Sequence, residues 1–383
     1  MAELNHKANV ASPHWGDRRG DLVSEVNRAR APVRIDFAGG WTDVARFTEE
    51  SKGYVVNAAI NIYSYVTVKQ RPPKEILTNS YGYKHKQSAP DTSVRIYSAD
   101  FDLYEEAEDI KQLEYNGNID LAKAAIKQMR IVDGLEIITR SNAPAGSGLG
   151  TSAAMGVALI GALSQLARKP LLPYEFAEAA SAIERFELGI FGGKQDQYAS
   201  ALGGFNFMEF AGEEVKVSPL AIAPDVLYEL EKHLVLCYTG KSRLSGDIHR
   251  KVVEAYQGND PKNRTALRNL KTIAVQMKDA LLTGDLEMFG ALLSENWQNQ
   301  KELHPSVTNL QIDALFDAVK AKGAIGGKAC GAGGGGCLVF YSRSDYEHTV
   351  RRELEQAGVK IIDFNFDFRG LQMWVTQIQS TCQ

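Results

Sequence analysis

The distribution of glycine constrains this chain more than any other feature of its sequence. Its 34 glycines include clusters at 39–40, 146–150 and 331–336, and a further pair at 192–193. The clusters lie beside segments with the pattern of strands or helices, and no low-complexity linker or tandem repeat is visible. Glycine clusters between ordered elements indicate that the backbone approaches something closely. We therefore predict a folded chain whose loops pack closely against a ligand or a neighbouring element.

Length, composition and charge narrow the class of protein. The 383 residues are enough for two domains with packed cores, since 44% of them are apolar and 23% are charged. A formal net charge of -4 disfavours binding to nucleic acid through bulk charge. We expect a globular protein without a nucleic-acid partner.

The sequence also gives expectations about membranes and cellular compartment. The longest apolar run, from Ala153 to Leu163, is shorter than the roughly 20 residues that cross a bilayer. Residues 1–27 lack the apolar core of a signal peptide, and four cysteines are too few for a disulfide scaffold. We expect a reduced, cytoplasmic protein without a membrane partner.

Hydrophobic periodicity predicts a mixed α+β fold. Strand patterns occur at 31–38, 54–70, 93–98, 134–140, 204–210, 233–238, 337–341, 359–367 and 372–379. Helical patterns occur at 118–130, 151–168, 173–190, 247–258, 264–283, 285–301, 306–322 and 344–357. The pattern changes from mixed to helix-rich near residue 215, which predicts domains at 1–215 and 216–383.

The loop at 146–150 has glycine at every second position, directly before a helix. A helix N-terminus presents free amides and partial positive charge, and glycines let those amides wrap an anion. Hydroxyls of Thr151 and Ser152 could meet a phosphate or its Mg²⁺. The spacing fits neither a Walker A loop nor a Rossmann fingerprint, and the protein-kinase motifs are missing. A phosphate cradle and a simple packing turn are equally compatible with this spacing.

Several charged side chains are candidates for chemistry. Glu184 could bind Mg²⁺, and Asp196, after a glycine turn, could act as a general base, although single acids are more often solvated surface groups. Arg34 and Asp36 share one strand face and Asp43 follows a glycine pair, which indicates either phosphoryl chemistry or a structural ion pair. From residue 241 a basic stretch could contact an anion or form a solvated helix face; it contains Lys241, Arg243, His249, Arg250 and Lys251.

Three segments in order resemble the motifs of the GHMP kinase superfamily. They are APVRIDFAGGWTD at 31–43, PAGSGLGTSAAM at 144–155 and GGKACGAGGGGC at 326–337. Within the superfamily, the segments at 191–210 and 236–248 are similar to kinases that phosphorylate a heptose 7-phosphate at C1. The first motif is also similar to L-fucokinases, and Gly-Trp stands where galactokinases carry Glu-His.

The resemblance implies a fold and an activity. The fold would be a ribosomal protein S5 domain 2-like N-terminal domain and a helix-rich, ferredoxin-like C-terminal domain, with the site between them. The activity would be transfer of the γ-phosphoryl group of ATP, with Mg²⁺, to the C1 hydroxyl of a sugar or sugar phosphate, by a monomer or homodimer. Heptose 7-phosphate is the first expectation and L-fucose the second. A non-catalytic sensor of sugar or nucleotide is the alternative of another class.

The resemblance also implies roles for individual residues. Asp196 would be the catalytic aspartate with Arg34 beside it, Ser152 and Glu184 the Mg²⁺ ligands, and Asp43 the sugar-binding aspartate. The nucleotide loop would comprise Pro144, Gly146, Ser147, Gly148, Leu149, Gly150, Thr151 and Ser152. Further substrate contacts would come from Gly39, Gly40, Gly193, Lys194, Gln195, Gly333, Gly334 and Arg243.

Overall fold

The computed structural model describes residues 23–80, 83–240 and 245–379. The strands in these ranges are β1 Val23–Ala38, β2 Gly53–Gln70, β3 Lys74–Ser80, β4 Tyr83–Ala89, β5 Val94–Ser98, β6 Leu103–Ala107, β7 Leu135–Ser141, β8 Phe205–Ala211, β9 Glu214–Pro219, β10 Leu234–Tyr238, β11 Ala324–Ala329, β12 Cys337–Ser342, β13 Lys360–Ile362 and β14 Gln372–Gln379. The α-helices are α1 Ala45–Thr48, α2 Asp120–Met129, α3 Thr151–Leu166, α4 Pro173–Ala182, α5 Gln195–Leu202, α6 Pro224–His233, α7 Ser245–Gln257, α8 Pro261–Thr283, α9 Leu286–Glu302, α10 Leu310–Ala321 and α11 Glu347–Gln356.

An eight-stranded sheet organises the first half of the chain. Its main order is β14-β1-β2-β7-β5-β6, and β8 joins β2 and β9. The long strand β2 is rich in β-branched residues, which favour strand structure. It pairs with β8 along its first half and with β7 along its second half. The β5–β7 pair is parallel and the other pairs are antiparallel.

The alternation predicted for β1 is confirmed, and both of its faces are buried. Val33, Ile35 and Phe37 are fully buried on the core side. Arg34 and Asp36, on the opposite face, are also nearly inaccessible to solvent. Buried charges require partners, because burial of an unpaired charge is very costly. This face of β1 is therefore where the chain places its polar chemistry.

Helix α3 is the central helix of this half. Its sequence is apolar on all sides, as expected for a helix that is enclosed rather than amphipathic. It packs against β1 and β2 and is flanked by α2, α4 and α5. This packing fixes its N-terminus at the end of the glycine loop 146–150.

The second half contains a four-stranded antiparallel sheet with the order β11-β12-β10-β13. Helices α8 and α9 pack against each other, and both also contact the first half through β1. Phe37 of β1 lies 5.3 Å, between ring centroids, from Phe289 of α9. One hydrophobic cluster therefore joins the two halves.

The predicted division at residue 215 stays a prediction. That position lies within β9, which belongs to the first sheet. The last strand, β14, also returns to the first sheet and pairs with β1. No helix in the three described ranges is long and apolar enough to cross a membrane.

Two sequence-based elements differ from the structure. The strand predicted at 359–367 is limited to β13, because residues beyond it form a loop in which Asp367 accepts hydrogen bonds from Tyr63 and from backbone amides. The helix predicted at 173–190 is α-helical only to Ala182 and continues as a π-helix, Ile183–Glu187. A π-helical turn inserts an extra residue and often marks a functional site.

Candidate active site

A cavity of about 360 Å³ lies where the two halves meet. Its walls come from the polar face of β1, the glycine loop before α3, the π-helix, the start of α5 and the residues after β11. The following predicted residues line it: Arg34, Gly40, Asp43, Gly146, Ser147, Gly148, Gly150, Thr151, Ser152, Glu184, Gly193, Gln195 and Asp196. Residues that lie far apart in the sequence, from the first motif to the segment after Gly193, therefore meet in one place.

Arg34 connects four segments of this cavity. Its Nε and Nη2 both contact Oδ1 of Asp196 at 2.7 Å. Its Nη1 donates to the carbonyl oxygens of Gly148, at 2.6 Å, and Cys330, at 3.1 Å. Burial disfavours the charged guanidinium, but the carboxylates of Asp196 and Asp36 outweigh burial and raise the pKa of Arg34 above its usual value. The guanidinium is thus a permanent charge that holds Asp196 against the glycine loop.

The glycine loop 146–150 is both tightly packed and open to the cavity, so its geometry is compatible with a packing turn and with a phosphate cradle. Gly146, Gly148 and Gly150 have φ values of 65°, 75° and 76°, which L side chains rarely adopt. A Cβ on Gly148 would lie 3.2 Å from the backbone of Gly331, so this loop packs tightly against the second glycine loop. Its remaining face lines the cavity at the N-terminus of α3.

Glu184 forms a compact oxygen-rich group with two neighbours. Its carboxylate accepts hydrogen bonds from the hydroxyl of Ser152 and from Nε2 of Gln197. Burial raises the pKa of Glu184 to about 7, against the opposing effect of these two hydrogen bonds. Within the described ranges, Oε1 of Gln197 is buried without a hydrogen-bond partner.

This group fits a magnesium ion. Mg²⁺ prefers hard oxygen ligands and usually takes only one or two carboxylates from the protein. No group of three or more His, Cys, Asp or Glu residues suited to a metal occurs in the part of the chain that the structure describes. One buried carboxylate beside a hydroxyl matches a metal that is held largely by phosphate oxygens.

Asp43 lies at another part of the same cavity. Its Oδ2 accepts a hydrogen bond from the backbone amide of Gln195 at 3.1 Å. Burial, together with the nearby negative charges of Asp196 and Asp36, raises the pKa of Asp43 to about 6. A Cβ on Gly193 would lie 1.8 Å from this oxygen, so a glycine is required there for Asp43 to reach its position.

Some predicted substrate residues make structural contacts instead. Nζ of Lys194 is buried against Glu213, 2.6 Å from its carboxylate and 2.8 Å from its carbonyl oxygen. The amide of Gly39 donates to Asn296 at 3.1 Å.

Two predicted glycines of the second loop also turn away from the cavity. A Cβ on Gly333 would lie 2.2 Å from the carbonyl oxygen of Val307, and the amide of Gly334 donates to that oxygen at 2.6 Å. Gly331 and Ala332 are the residues of this loop that line the cavity. Pro144 and Leu149 are outside the lining as well, and Arg243 lies outside the described residues.

The cavity lining also contains Trp41 and Gln197, to which sequence reasoning assigned no site role, and His249, which it left within a basic stretch. Asp36 shares the polar face of β1 with Arg34, as predicted, and its direct ion-pair partner is Lys328, whose buried Nζ lies 2.8 Å from Oδ2. Only the position of Lys328 inside the third motif could have drawn attention to it.

A second cavity of about 380 Å³ opens beside the glycine loop. It shares Gly146, Thr151 and Ser152 with the first cavity. Its other walls are mostly apolar and include Phe101 and Met155. A large, apolar pocket with a few polar groups, next to a glycine loop at a helix N-terminus, is suited to an aromatic base attached to phosphates.

The chain matches known families along most of its length. Residues 119–204 match the N-terminal domain of the GHMP kinases, and residues 277–360 match their C-terminal domain. A D-glycero-alpha-D-manno-heptose 7-phosphate kinase from Campylobacter jejuni is 33% identical over 91% of this chain and 98% of that protein. The chain belongs to the GHMP kinase family.

Two further relatives of this GHMP kinase extend the comparison. The crystal structure of a D-glycero-D-manno-heptose 1-phosphate kinase from Bacteroides thetaiotaomicron covers 91% of this chain with a TM-score of 0.71 and 31% identity, and the match spans 98% of that chain. A bifunctional fucokinase/GDP-fucose pyrophosphorylase from Arabidopsis thaliana is 31% identical over 88% of this chain and 32% of its own length. These matches confirm the predicted two-domain fold and the kinase class.

Proposed function

We propose that this GHMP kinase transfers the γ-phosphoryl group of ATP to the anomeric C1 hydroxyl of a sugar. A heptose 7-phosphate is the first candidate substrate, in agreement with the name of the relative from Campylobacter, and the relative from Bacteroides is also named as a heptose phosphate kinase. L-Fucose is the second, because a fucokinase matches 88% of the chain. The observation that carries the proposal is the Arg34–Asp196 pair, which faces a glycine loop inside the cavity that also contains Asp43.

The nucleotide would lie across the two cavities. ATP is the phosphoryl donor of the GHMP kinases. The N-terminus of α3 and the amides of the glycine loop would bind its phosphates, since such amides carry partial positive charge. The apolar second cavity would receive the adenine, because it opens from the same loop residues Gly146 and Thr151.

Glu184 and Ser152 would hold Mg²⁺. When bound, the ion would neutralise negative charge on the phosphate oxygens. Gln197 orients the Glu184 carboxylate through its Nε2, which leaves its own Oε1 available for a water molecule or an ion.

Asp196 would orient the C1 hydroxyl and accept its proton. Both of its contacts with Arg34 are made to Oδ1, whereas a Cβ on Gly150 would lie 3.0 Å from Oδ2. Oδ2 is therefore the oxygen beside the phosphate loop. Phosphoryl transfer depends mainly on position and electrostatics. Arg34 supplies both, because it fixes Asp196 and places a permanent positive charge near the transferred group.

A sugar that already carries a 7-phosphate needs a cationic side chain to bind that phosphate, in addition to the groups that bind the phosphates of ATP. Among the described residues that line the cavity, Arg34 is the one lysine or arginine, and it is already engaged by Asp196. Arg243 follows Gly240 in sequence and remains the proposed partner of a 7-phosphate. Arg243→Ala should then raise KM for a phosphorylated sugar and leave KM for ATP unchanged, whereas turnover of neutral fucose should not change.

One screen tests the proposal. The purified protein is incubated with ATP and Mg²⁺ and with heptose 7-phosphate, L-fucose, galactose, mannose or mevalonate. ADP release and ³¹P spectra of the products report turnover and the phosphorylated position. Product at C1 of a sugar supports the proposal, and turnover of mevalonate alone or of no acceptor refutes it.

Gly193→Ala tests the acceptor side of the cavity, with Gly192→Ala as its matched control. The first Cβ would overlap Asp43, whereas the second would meet nothing within 4 Å. We expect a rise of at least about tenfold in sugar KM for Gly193→Ala, corresponding to about 1.4 kcal/mol or more. KM for ATP should be unchanged in both variants. Equal sugar KM values in the two variants would remove Asp43 from sugar binding.

A further inference from the structure

Trp41 occupies an unusual position beside the cavity. It has a φ of 82°, although a bulky residue rarely adopts the left-handed region. The turn around it is fixed by hydrogen bonds from the amide of Thr42 to Gly39 at 3.1 Å and from the amide of Val44 to Trp41 at 3.2 Å. Backbone strain of this kind persists where the surrounding structure holds it, and it is concentrated at functional sites. Here it directs an indole ring towards the cavity lining.

His249, on α7, meets this ring from the other half of the protein. The centroids of the imidazole and the indole are 4.5 Å apart, at an interplanar angle of 42°. Both residues line the cavity that contains Asp43 and Asp196. The pair therefore forms a wall between a turn of the first half and a helix of the second.

The imidazole of His249 presents a hydrogen-bond acceptor. Burial lowers the pKa of His249 to about 4, so the ring is neutral near pH 7. Nδ1 is buried and has no partner in the described part of the chain, so it accepts a hydrogen bond from a ligand when the ring proton is on Nε2.

A second acceptor in the same lining lacks a donor. Oδ2 of Asp36 binds Lys328, but its Oδ1 is buried and has no partner among the described residues. Buried polar atoms in native proteins almost always have a hydrogen-bond partner. Together with Oε1 of Gln197, these atoms are three unsatisfied acceptors in one cavity lining, which indicates a ligand with several donor groups, as a polyhydroxylated molecule has.

We propose that Trp41 and His249 form the wall that recognises the acceptor sugar, with the indole against an apolar C–H face of the ring and Nδ1 of His249 accepting a hydrogen bond from a hydroxyl other than C1. The inference rests on the proposed function and deepens it. Trp41 lies two residues before Asp43 on the same turn, so the wall is on the acceptor side of the cavity. A site built to bind a particular hydroxyl discriminates strongly against analogues that lack it.

Three substitutions at His249 test this assignment. His249→Asn places an amide oxygen close to the position of Nδ1, His249→Gln places its amide near Nε2, and His249→Leu removes all polar atoms. We expect sugar KM to rise about five- to tenfold for Leu and Gln, the loss typical of one neutral hydrogen bond, and less for Asn. KM for ATP should stay within about twofold of the wild-type value.

Deoxy analogues of the sugar that the wild type turns over identify the hydroxyl. For the wild type, removal of the hydroxyl that contacts His249 should lower the affinity for the sugar by the same factor as the His249→Leu substitution does. His249→Leu should bind this deoxy analogue and the parent sugar with equal affinity. Calorimetric titration of sugar in the presence of a non-hydrolysable ATP analogue gives the same comparison without turnover. Trp41→Phe, which keeps an aromatic ring of smaller area, should raise sugar KM by a smaller factor than Trp41→Ala.

The outcomes separate the two proposals. If the wild type phosphorylates a sugar at C1 but His249→Leu and His249→Gln retain its KM and calorimetric affinity, the wall is refuted and the kinase assignment stands. If the wild type neither binds nor phosphorylates any sugar, both are refuted. Melting temperatures identify variants that fail to fold. Should Leu fail, the comparison of Asn with Gln decides, because equal sugar KM values for these two would refute a contact at Nδ1.

Discussion

Replacement of Asp196 by asparagine is the most informative single change in this protein. Asparagine has the same shape and can still accept a hydrogen bond from Arg34 through its amide oxygen. It cannot take a proton from the C1 hydroxyl. The variant therefore separates the chemical role of the carboxylate from its role as a partner for the buried guanidinium.

The structure sets the size of each effect. Loss of a positioned proton acceptor typically lowers kcat by about 10²–10⁴. Removal of one partner from a buried ion pair costs about 3–5 kcal/mol, but Arg34 keeps the carbonyl oxygens of Gly148 and Cys330 as acceptors. In Asp196→Asn the contact with Arg34 changes from charge–charge to charge–neutral, which is a loss of about 1–2 kcal/mol. We expect a small decrease in melting temperature and a large decrease in kcat.

Sugar-dependent ADP release measures kcat, and calorimetry with an ATP analogue measures nucleotide affinity. Asp225→Asn is the matched control, because Asp225 is also an aspartate in the first turn of a helix, α6, and is exposed to solvent. This control should retain wild-type kcat. A kcat within about tenfold of wild type for Asp196→Asn would show that the carboxylate handles no proton in the rate-limiting step. Loss of ATP affinity would show instead that Asp196 shapes the phosphate loop.

Three further predictions concern the loop and the buried acids. Gly148→Val should abolish nucleotide binding, because its Cβ would press on Gly331. Gly212→Val is the control for backbone strain, since Gly212 has a similar φ of 57° and its Cβ would meet nothing within 4 Å. If calorimetry finds that both variants bind ATP, the loop is a packing turn only. Glu184→Gln should raise the Mg²⁺ concentration for half-maximal activity more than it changes sugar KM, and an unchanged Mg²⁺ titration would exclude Glu184 as a ligand. Because the folded state raises the pKa of Asp43 from 3.8 to about 6, ionisation of Asp43 destabilises the fold as pH rises through this window. In urea unfolding, the free energy of unfolding of Asp43→Asn should increase relative to that of the wild type by up to about 3 kcal/mol between about pH 4 and pH 7. A difference that stays constant with pH would contradict this assignment.

Local sequence patterns predicted the elements and the motif residues that the site uses. Alternation in β1 correctly placed Arg34 and Asp36 on one face, and the glycine loop correctly preceded a helix. Local patterns could not predict which side chains of different elements contact each other. Arg34 and Asp196 are 162 residues apart, and nothing in their local sequences distinguishes them from solvated charges. Only the family resemblance brought them together before the structure did.

Local sequence could not predict which side chains face the cavity, because adjacent residues in turns and helices point in different directions. Lys194 lies between two residues that line the cavity, yet it is buried against Glu213. His249 was part of a basic stretch compatible with a solvated helix face. That interpretation is correct for Arg250, whose side chain is 61% exposed, and wrong for His249 one position before it. A helix turns by about 100° per residue, so only the packing of α7 decides which side chain faces inwards.

At the first glycine loop, tight packing and the proposed phosphate binding would support each other rather than compete. Gly148 packs on Gly331, the amide of Cys337 donates to the carbonyl oxygen of Ser147 at 2.7 Å, and Arg34 donates to a carbonyl oxygen of each loop segment. An anion-binding loop works best when its amides are fixed before the ligand arrives, since no free energy is then spent on ordering them. Contacts from the second half of the chain provide that rigidity here. The same guanidinium that fixes the two loops also holds Asp196, so in the proposed function one side chain would set the positions of both the phosphate and the proton acceptor.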